Sequence, residues 1–439
     1  MSKLHQMDTE EKMCGICGFT GYRQDQKTVI ERMMKAIEHR GPDSEGSFCR
    51  EKITLGFRRL SIIDLEDGQQ PMESADGNLH IVFNGEIYDY KELRAELEAF
   101  GISFCTHSDT EVLVNTIQQY GEKALDKLRG MFGFAVWNEK EQTLMLARDF
   151  FGIKPVYYAE IDGHFVFASE IKSILAFPGY ERKVNQKALE QYLSFQYSPL
   201  EETFFKGIYK LMPGHMLLYK NGSYEIKTYF KPKLTPGQWN HKTNMAQLRS
   251  QLSEILKDSV KHHMLSDVEV GAFLSGGVDS GYLASSSGAD QAFTVGFDEG
   301  DRYSEVNKAA KVAEKAGLKH HVKIISKQEF WDALPDVMYH MDEPLGDASA
   351  VALYFLSKEA AGHVKVVLSG EGADELFGGY NIYREPESLK KIDWIPFGVR
   401  RVIGKLAAKL PDVKGRDFLI RAGMKVEERF IGNAYIYRE

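Results

Sequence analysis

A cysteine stands one residue behind a methionine in Met13-Cys14-Gly15-Ile16, a placement that suggests nucleophilic chemistry. A thiol attacks as its thiolate, and a free cysteine is mostly protonated at neutral pH, so a base must lie close by. Were Cys14 the first residue, its own α-amine, with an ordinary pKa of about 7.7–8.0, would serve as that base. A terminal residue acting as nucleophile and base together is one form of the activated nucleophile. With residues 1–13 in front, the same nitrogen is a peptide nitrogen and takes no proton. That stretch, MSKLHQMDTEEKM, is polar and acidic, unlike a signal peptide. The expectation is a dispensable leader, with translation starting at Met13.

Three polar clusters downstream could complete such a site: Arg58-Arg59-Leu60-Ser61, Asn84-Gly85-Glu86 and Ser108-Asp109. Alone, each is bland. Asn-Gly commonly marks a hairpin, paired arginines usually coat a solvated strand face, and Asp109 could simply cap a helix. Together they supply what acyl transfer from an amino-acid amide needs. An Asn amide and a Gly N–H can form an oxyanion hole. A guanidinium can take the substrate's carboxylate, and carboxylates its ammonium.

A second chemistry lies in the other half. Val268 to Leu274 reads as a buried strand that runs into Ser275-Gly276-Gly277-Val278-Asp279-Ser280 and then a helix. A Gly-rich loop between strand and helix N-terminus binds anions, because backbone N–H groups and the helix dipole face the ligand. No Lys follows in Walker A form, and an Asp in the loop would repel phosphate directly, so Asp279 is expected to act through Mg²⁺. Further on, Ser369-Gly370-Glu371-Gly372-Ala373-Asp374-Glu375 follows another apolar strand. Alternating glycines there argue for close backbone approach to a ligand, against the plainer reading of a solvated acidic loop.

The elements that must position these groups fall into two patterns. Strand patterns at Ile53–Phe57, Leu60–Ile63, His80–Phe83, Gly133–Trp137, Thr143–Ala147, Val156–Ile161 and His164–Ala168 alternate with helices over Val29–Glu38 (capped by Thr28) and from Asp109 to Gln119. That is a layered α+β unit. Residues 231–244, rich in Pro, Gly and Thr, suit a linker. A helix over Met245–His263 then leads into βα alternation: Ala292–Phe297, Ser304–Lys315, His321–Ile325, a helix from Gln328, Ala350–Ala361 and Val364–Leu368. This implies a parallel sheet, whose ligands sit beyond the carboxyl ends of its strands.

The bulk numbers agree with a globular chain of two or three domains: 439 residues, 43% hydrophobic, 27% charged. A net charge of −8 gives no basic footprint for nucleic acid or anionic membrane. No apolar run reaches the roughly 18 residues that span a bilayer, and a cytoplasmic location is expected. Cys14 and Cys17 form a C-x-x-C, but no second pair completes a zinc site and the segment reads as a strand. Cys17, Cys49 and Cys105 are expected to be small buried hydrophobes.

From Met13 to about Phe230 the chain resembles the glutaminase domain of the class II glutamine amidotransferases, above all the asparagine synthetase family. The matching runs are MCGI, HRGPD, RLSIID, NGEIY, SDTE, GMFGFAVW and RDFFGIKPVYY. SGGVDS and SGEGADE resemble that family's ATP-hydrolysing synthetase domain, in the same order. The resemblance implies a four-layer αββα, Ntn-hydrolase-like domain at 14–230 and a parallel-sheet ATP-pyrophosphatase-type domain at 245–439. It implies that Cys14 attacks the glutamine side-chain amide, with Asn84 and the Gly85 N–H as oxyanion hole. Arg59 would hold the glutamine carboxylate, Glu86 and Asp109 its ammonium, and the Leu60, Ser61, Ile62 and Ile63 backbone would line the pocket.

In the second domain ATP would lie against Phe273, Leu274, Ser275, Gly276, Gly277, Asp279, Ser280, Val295, Ser369 and Gly370. Asp279 and Asp374 would be Mg²⁺ ligands, and Glu371 would serve the adenylate step. Aspartate would attack the α-phosphate of ATP to give β-aspartyl-AMP, which ammonia from glutamine converts to asparagine. Two departures stand out. Asp89 occupies the position after NGEIY where the family commonly has Asn, and the family's synthetase domain continues beyond Glu439, so a truncated chain is expected. The role of Asp342-Glu343-Pro344-Leu345 and a homodimer are left open. The rivals are a ligase of the same build acting on another carboxylate, a stand-alone glutaminase, and a non-catalytic protein with Cys14 internal.

Overall fold

The computed structural model describes residues 13–233, 244–298 and 305–429. The leader up to residue 12 and most of the expected linker lie outside the described residues. In the first half the elements are β1 (Gly15–Thr20), α1 (Gln26–Ala36), β2 (Ser44–Cys49), β3 (Ile53–Arg59), β4 (Met72–Glu73), β5 (Leu79–Ile87), α2 (Tyr90–Ala99), α3 (Asp109–Tyr120), β6 (Gly130–Asn138), β7 (Thr143–Arg148), β8 (Tyr157–Ile161), β9 (His164–Ala168), α4 (Ile171–Leu175), α5 (Gln186–Phe195), β10 (Ile208–Lys210), β11 (His215–Lys220) and β12 (Ser223–Thr228). They build two six-stranded sheets, ordered β10-β8-β9-β1-β3-β2 and β12-β11-β7-β6-β5-β4.

Three apolar cores make four layers of these elements. Ile16, Phe57, Val82, Ala135, Leu146 and Phe167 fill the space between the sheets. Met33, Ile37 and Ile174 seal α1 and α4 onto the outer face of the first sheet. Leu93, Leu97, Val112 and Leu113 seal α2 and α3 onto the second. The order helix, sheet, sheet, helix is the expected αββα arrangement. All of β1 is buried, because the strand is covered on both faces. Cys17 therefore packs with α1, whereas Cys14 contacts the inter-sheet core, so the C-x-x-C thiols face opposite layers.

Several local expectations change. Arg59 ends β3, and its guanidinium donates to the Ile63, Asp64 and Leu65 carbonyls. Leu60–Ile63 is thereby curled into a loop instead of a strand. Asn84-Gly85 is no hairpin: both lie inside β5, opposite Gly133 and Phe132 of β6. Ser108, not Asp109, caps α3, accepting the Thr110 N–H at 3.1 Å. Helix α1 starts at Gln26, ahead of Thr28. Cys105 is exposed and Cys49 only half-buried.

The second half adds α6 (Met245–His263), β13 (Val270–Phe273), α7 (Val278–Ser286), β14 (Gln291–Phe297), α8 (Val306–Ala316), β15 (Lys319–Ile325), α9 (Lys327–Met341), α10 (Ser349–Ala361) and β16 (Val366–Leu368). Its sheet is parallel, ordered β15-β14-β13-β16. Asn244 caps α6 and a Ser326/Glu329 capping box starts α9, fixing both starts within a residue or two of the sequence reading. These elements form one compact unit with the two large sheets.

Among the described residues a second compact unit comprises 186–199, 344–347 and 370–429. It contains α5 together with α11 (Ala373–Phe377), α12 (Glu385–Leu389), α13 (Phe397–Ala407), α14 (Arg416–Ala422) and α15 (Val426–Arg429). Gly404 and Gly423 let α13 and α14 approach closely, and Arg429 pairs with Glu385 at 3.1 Å.

Candidate active site

Register places the nucleophile. Gly15 pairs with Arg58 across β1 and β3, so Cys14 lies opposite the turn out of β3. There the Leu60 N–H reaches Cys14 Sγ at 3.4 Å. Burial pushes the thiol pKa up, while the Leu60 N–H and the positive charges of Lys154, Arg40 and Arg59 oppose that shift. The thiol needs a base, in keeping with the requirement read from sequence.

Asn84 sits on the central part of β5, with its amide oriented by its partners: nitrogen to Cys14 O at 3.0 Å, oxygen accepting from Arg40 Nη2 at 3.3 Å. Arg40 also donates from Nε to Cys14 O at 3.0 Å. An amide nitrogen has two N–H groups, so this bond uses only one of them. Next to it, a Cβ on Gly85 would overlap Met131 O and sit 2.8 Å from Phe132 Cα. Only glycine lets β5 and β6 pair at this point.

A pocket beside the thiol is lined by Cys14, Arg59, Leu60, Ile62, Ile63, Gly85, Glu86 and Asp109, and also by Phe57, Gly68, Gln70, Phe83, Ser108 and Thr110. Most of the residues expected to hold glutamine thus share one cavity. Ser61 and Asn84 do not line it, and the Ser61 N–H goes to Asp43 Oδ2 at 2.9 Å. Arg59 is almost fully buried and held by the loop carbonyls. Asp109 Oδ2 accepts the Ile87 N–H at 3.0 Å, which ties α3 to the end of β5.

The two pocket carboxylates are unusual. Burial raises Glu86 to about 7, with Asp109 adding to the shift and Lys154 opposing it. Burial also raises Asp109 to about 6, against the N–H bonds from Ile87 and Thr110. Two buried acids to which no cation is bonded among the described residues form a site that an ammonium group would relieve.

Sequence reasoning gave no role to several buried groups here. Gln70 clamps Phe83 from both sides, accepting its N–H at 2.6 Å and donating to its carbonyl at 3.2 Å. Asp149 gathers the N–H groups of Phe151, Ile153 and Lys154 and shapes the turn that carries Lys154 into the core. Glu170 accepts from His39 at 3.1 Å and Arg40 at 2.7 Å. The HRGPD and RDFFGIKP runs were the available signals for all but Gln70 and Glu170. Asp89 accepts the Arg129 N–H at 3.0 Å, a task an Asn carbonyl could also perform.

In the second half, the carboxyl edge of the parallel sheet carries the Gly-rich loop. Leu274 N–H donates to Phe293 O, and Thr294 Oγ1 to Leu274 O, so strand β13 is pinned as it leaves the sheet. Ser275 and Ser280 hydroxyls lie 2.9 Å apart and close the loop, and the Gly277 N–H reaches Ser275 Oγ at 3.3 Å. Gly276 has φ +76, and a Cβ there would sit 2.7 Å from Lys308 Cβ. Gly277 caps α7, and Asp279 stands exposed in its first turn. Phe273 ends β13 and Ser369 follows β16 on the same edge, whereas Val295 lies inside β14, two residues before its end. Gly370, Glu371 and Asp374 belong to the second compact unit. There Gly372, at φ +87, precedes α11, and Glu375 accepts the Tyr380 hydroxyl at 2.8 Å.

Comparison with known proteins gives the same two halves. A glutamine amidotransferase domain model matches residues 13–230, and an asparagine synthase model matches residues 251–429. Asparagine synthetase [glutamine-hydrolyzing] 1 of Bacillus subtilis (strain 168) is 45% identical over 438 residues, covering 97% of this chain and 68% of the relative. Asparagine synthetase [glutamine-hydrolyzing] 3 of the same organism is 32% identical over 408 residues, covering 87% of this chain and 66% of the relative. With a thiol, an oriented amide and paired acids in one half, a Gly-rich anion loop in the other, and these relatives across both, the chain belongs to the glutamine-hydrolysing asparagine synthetase family.

Proposed function

We propose that this chain is an ATP-dependent amide ligase that converts aspartate to asparagine with ammonia taken from glutamine. The observation that carries the glutamine half is the joining of Cys14, Arg59, Glu86 and Asp109 in one pocket. Glutamine binds with its carboxylate on Arg59 and its ammonium between Glu86 and Asp109. Its side-chain carbonyl carbon then faces Cys14. The freed α-amine of Cys14 takes the thiol proton, sulfur attacks, and the oxyanion is held by the second Asn84 N–H and the Gly85 N–H. Collapse breaks the C–N bond, the amine's proton leaves with ammonia, and water releases glutamate from the thioester.

In this reading residues 14–230 are the glutaminase domain, 231–244 the linker and 245–439 the synthetase domain. The loop from Ser275 to Ser280 cradles the pyrophosphate of ATP, with Phe273, Leu274, Val295 and Ser369 along the nucleotide; the same role for Gly370 rests on the family resemblance alone. The support is a helix N-terminus behind a glycine-rich turn at a parallel sheet's carboxyl edge. Asp279 is a proposed Mg²⁺ ligand, its exposed carboxylate being the hard oxygen donor that this ion prefers, and the same role for Asp374 rests on the family resemblance alone. Bound Mg²⁺ would neutralise phosphate charge. Glu371 is assigned to the adenylate step. Aspartate's side-chain carboxylate displaces pyrophosphate, and ammonia then displaces AMP.

Replacing Cys14 by Ala tests the assignment. Glutamate release and glutamine-dependent asparagine should vanish, whereas ammonia, ATP and aspartate should still give asparagine, AMP and pyrophosphate. Glutamine hydrolysis retained in that variant would overturn the nucleophile assignment. Intact mass of the active protein should begin at Cys14.

A further inference from the structure

The motif Asp342-Glu343 has no part in the mechanism above, yet it is held in an unusual way. Asp342 follows α9 with φ +60, a backbone region that residues other than glycine seldom occupy. Such strain persists only where the surroundings enforce it, and it clusters at working sites. Asp342 Oδ1 lies 3.1 Å from Lys172 Nζ, and its Oδ2 accepts the Lys172 N–H at 3.3 Å. Lys172 Nζ also donates to Glu170 at 2.5 Å. Glu170 in turn holds Arg40, which donates to Cys14 O and orients the Asn84 amide. Glu343 grips the same half, accepting the Phe204 N–H at 2.9 Å.

Each charged member of this chain is at least nine-tenths buried in its side chain. Burial pushes the Glu170 carboxyl up, but the His39 hydrogen bond and the Arg40 and Lys172 charges outweigh it and hold the group well below the usual carboxylate range. Buried charges without water depend on their neighbours for both energy and direction. A buried run of alternating charges therefore connects the strained end of α9 to the oxyanion-hole amide. No apolar packing would transmit direction in this manner, because guanidinium and carboxylate bonds are directional.

We propose that Lys172 and Asp342 are positioning residues for glutamine hydrolysis: they fix Glu170, and through it Arg40, so that Asn84 presents its N–H to the oxyanion, and they tie that orientation to the synthetase half. This rests on the proposed function. Asp342 touches no substrate in this account. Its effect falls on the transition state and not on glutamine binding, which belongs to Arg59, Glu86 and Asp109.

The test uses the full chain and two readouts, glutamate release from glutamine and pyrophosphate release with ammonia, ATP and aspartate. Asp342→Asn and Lys172→Met should each lower kcat for glutamate release roughly 10- to 100-fold, the range for misplacing a catalytic group by about an ångström. KM for glutamine should stay within about twofold. Lys172→Arg should restore most of kcat, and the double variant should be no worse than Lys172→Met alone. Unchanged kcat in Asp342→Asn, or a loss confined to KM, overturns the proposal. So does a Lys172→Arg variant as impaired as Lys172→Met while both keep wild-type near-ultraviolet dichroism. Wild-type protein that releases glutamate but no pyrophosphate would defeat the ligase reading and leave this inference standing on the glutamate assay.

Discussion

Glutamine's ammonium, if it sits between Glu86 and Asp109, requires both acids ionised, whereas burial favours their protonated forms in the free protein. With Glu86 near 7 and Asp109 near 6, binding must weaken as pH falls through that window. The magnitude follows from the competent fraction. At pH 8 about 90% of Glu86 and nearly all of Asp109 are ionised; at pH 6 about 10% and about half are. The doubly ionised population thus falls roughly 20-fold, and the apparent Kd for glutamine should rise by about that factor. The pair titrates as a unit, so the macroscopic midpoints belong to both acids. Turnover is a poor readout, since the Cys14 α-amine also titrates near pH 8. The Cys14→Ala variant does not turn over, so calorimetric titration with glutamine at pH 6, 7 and 8 gives Kd directly. Buffers of different ionisation enthalpy should reveal proton release near pH 6.5. Without glutamine the sign for stability is opposite: the folded state binds more protons than the unfolded chain between about pH 4 and 7, so these acids make the protein less stable as pH rises through that range. A Kd flat within twofold from pH 8 to 6, with no proton release, would refute the ammonium site.

Other outcomes follow from single contacts. Gly85→Ala drives a Cβ into Met131 O; it should destabilise the protein by about 1–3 kcal/mol in chemical denaturation and cut glutaminase kcat by about 10²-fold or more. Gly276→Ala meets both a positive φ and the Lys308 Cβ at 2.7 Å; it should weaken ATP binding at least about tenfold while glutamate release stays within about twofold. Asp89→Asn keeps an acceptor for the Arg129 N–H, so stability should change by less than about 0.5 kcal/mol.

Sequence alone singled out the candidate site residues. A cysteine behind a methionine, a Gly-rich loop between strand and helix, and short polar runs each have local causes, and local causes are readable from spacing. Helix α6 and the strands of the parallel sheet were legible for the same reason: periodicity and caps act over a few residues. Asn84-Gly85 shows the limit. Its local signal is a turn, but β6 pairs across it and holds it in a strand, because ladder pairing over 40-odd residues outweighs a two-residue preference. Leu60–Ile63 shows the reverse, where a strand-like run is bent by the Arg59 guanidinium. Which acids are raised, and that Arg40, Glu170, Lys172 and Asp342 form one buried run, only the tertiary structure decided. Desolvation and charge pairing depend on what packs around a group, and residues 40, 170 and 342 are neighbours only once the layers have closed.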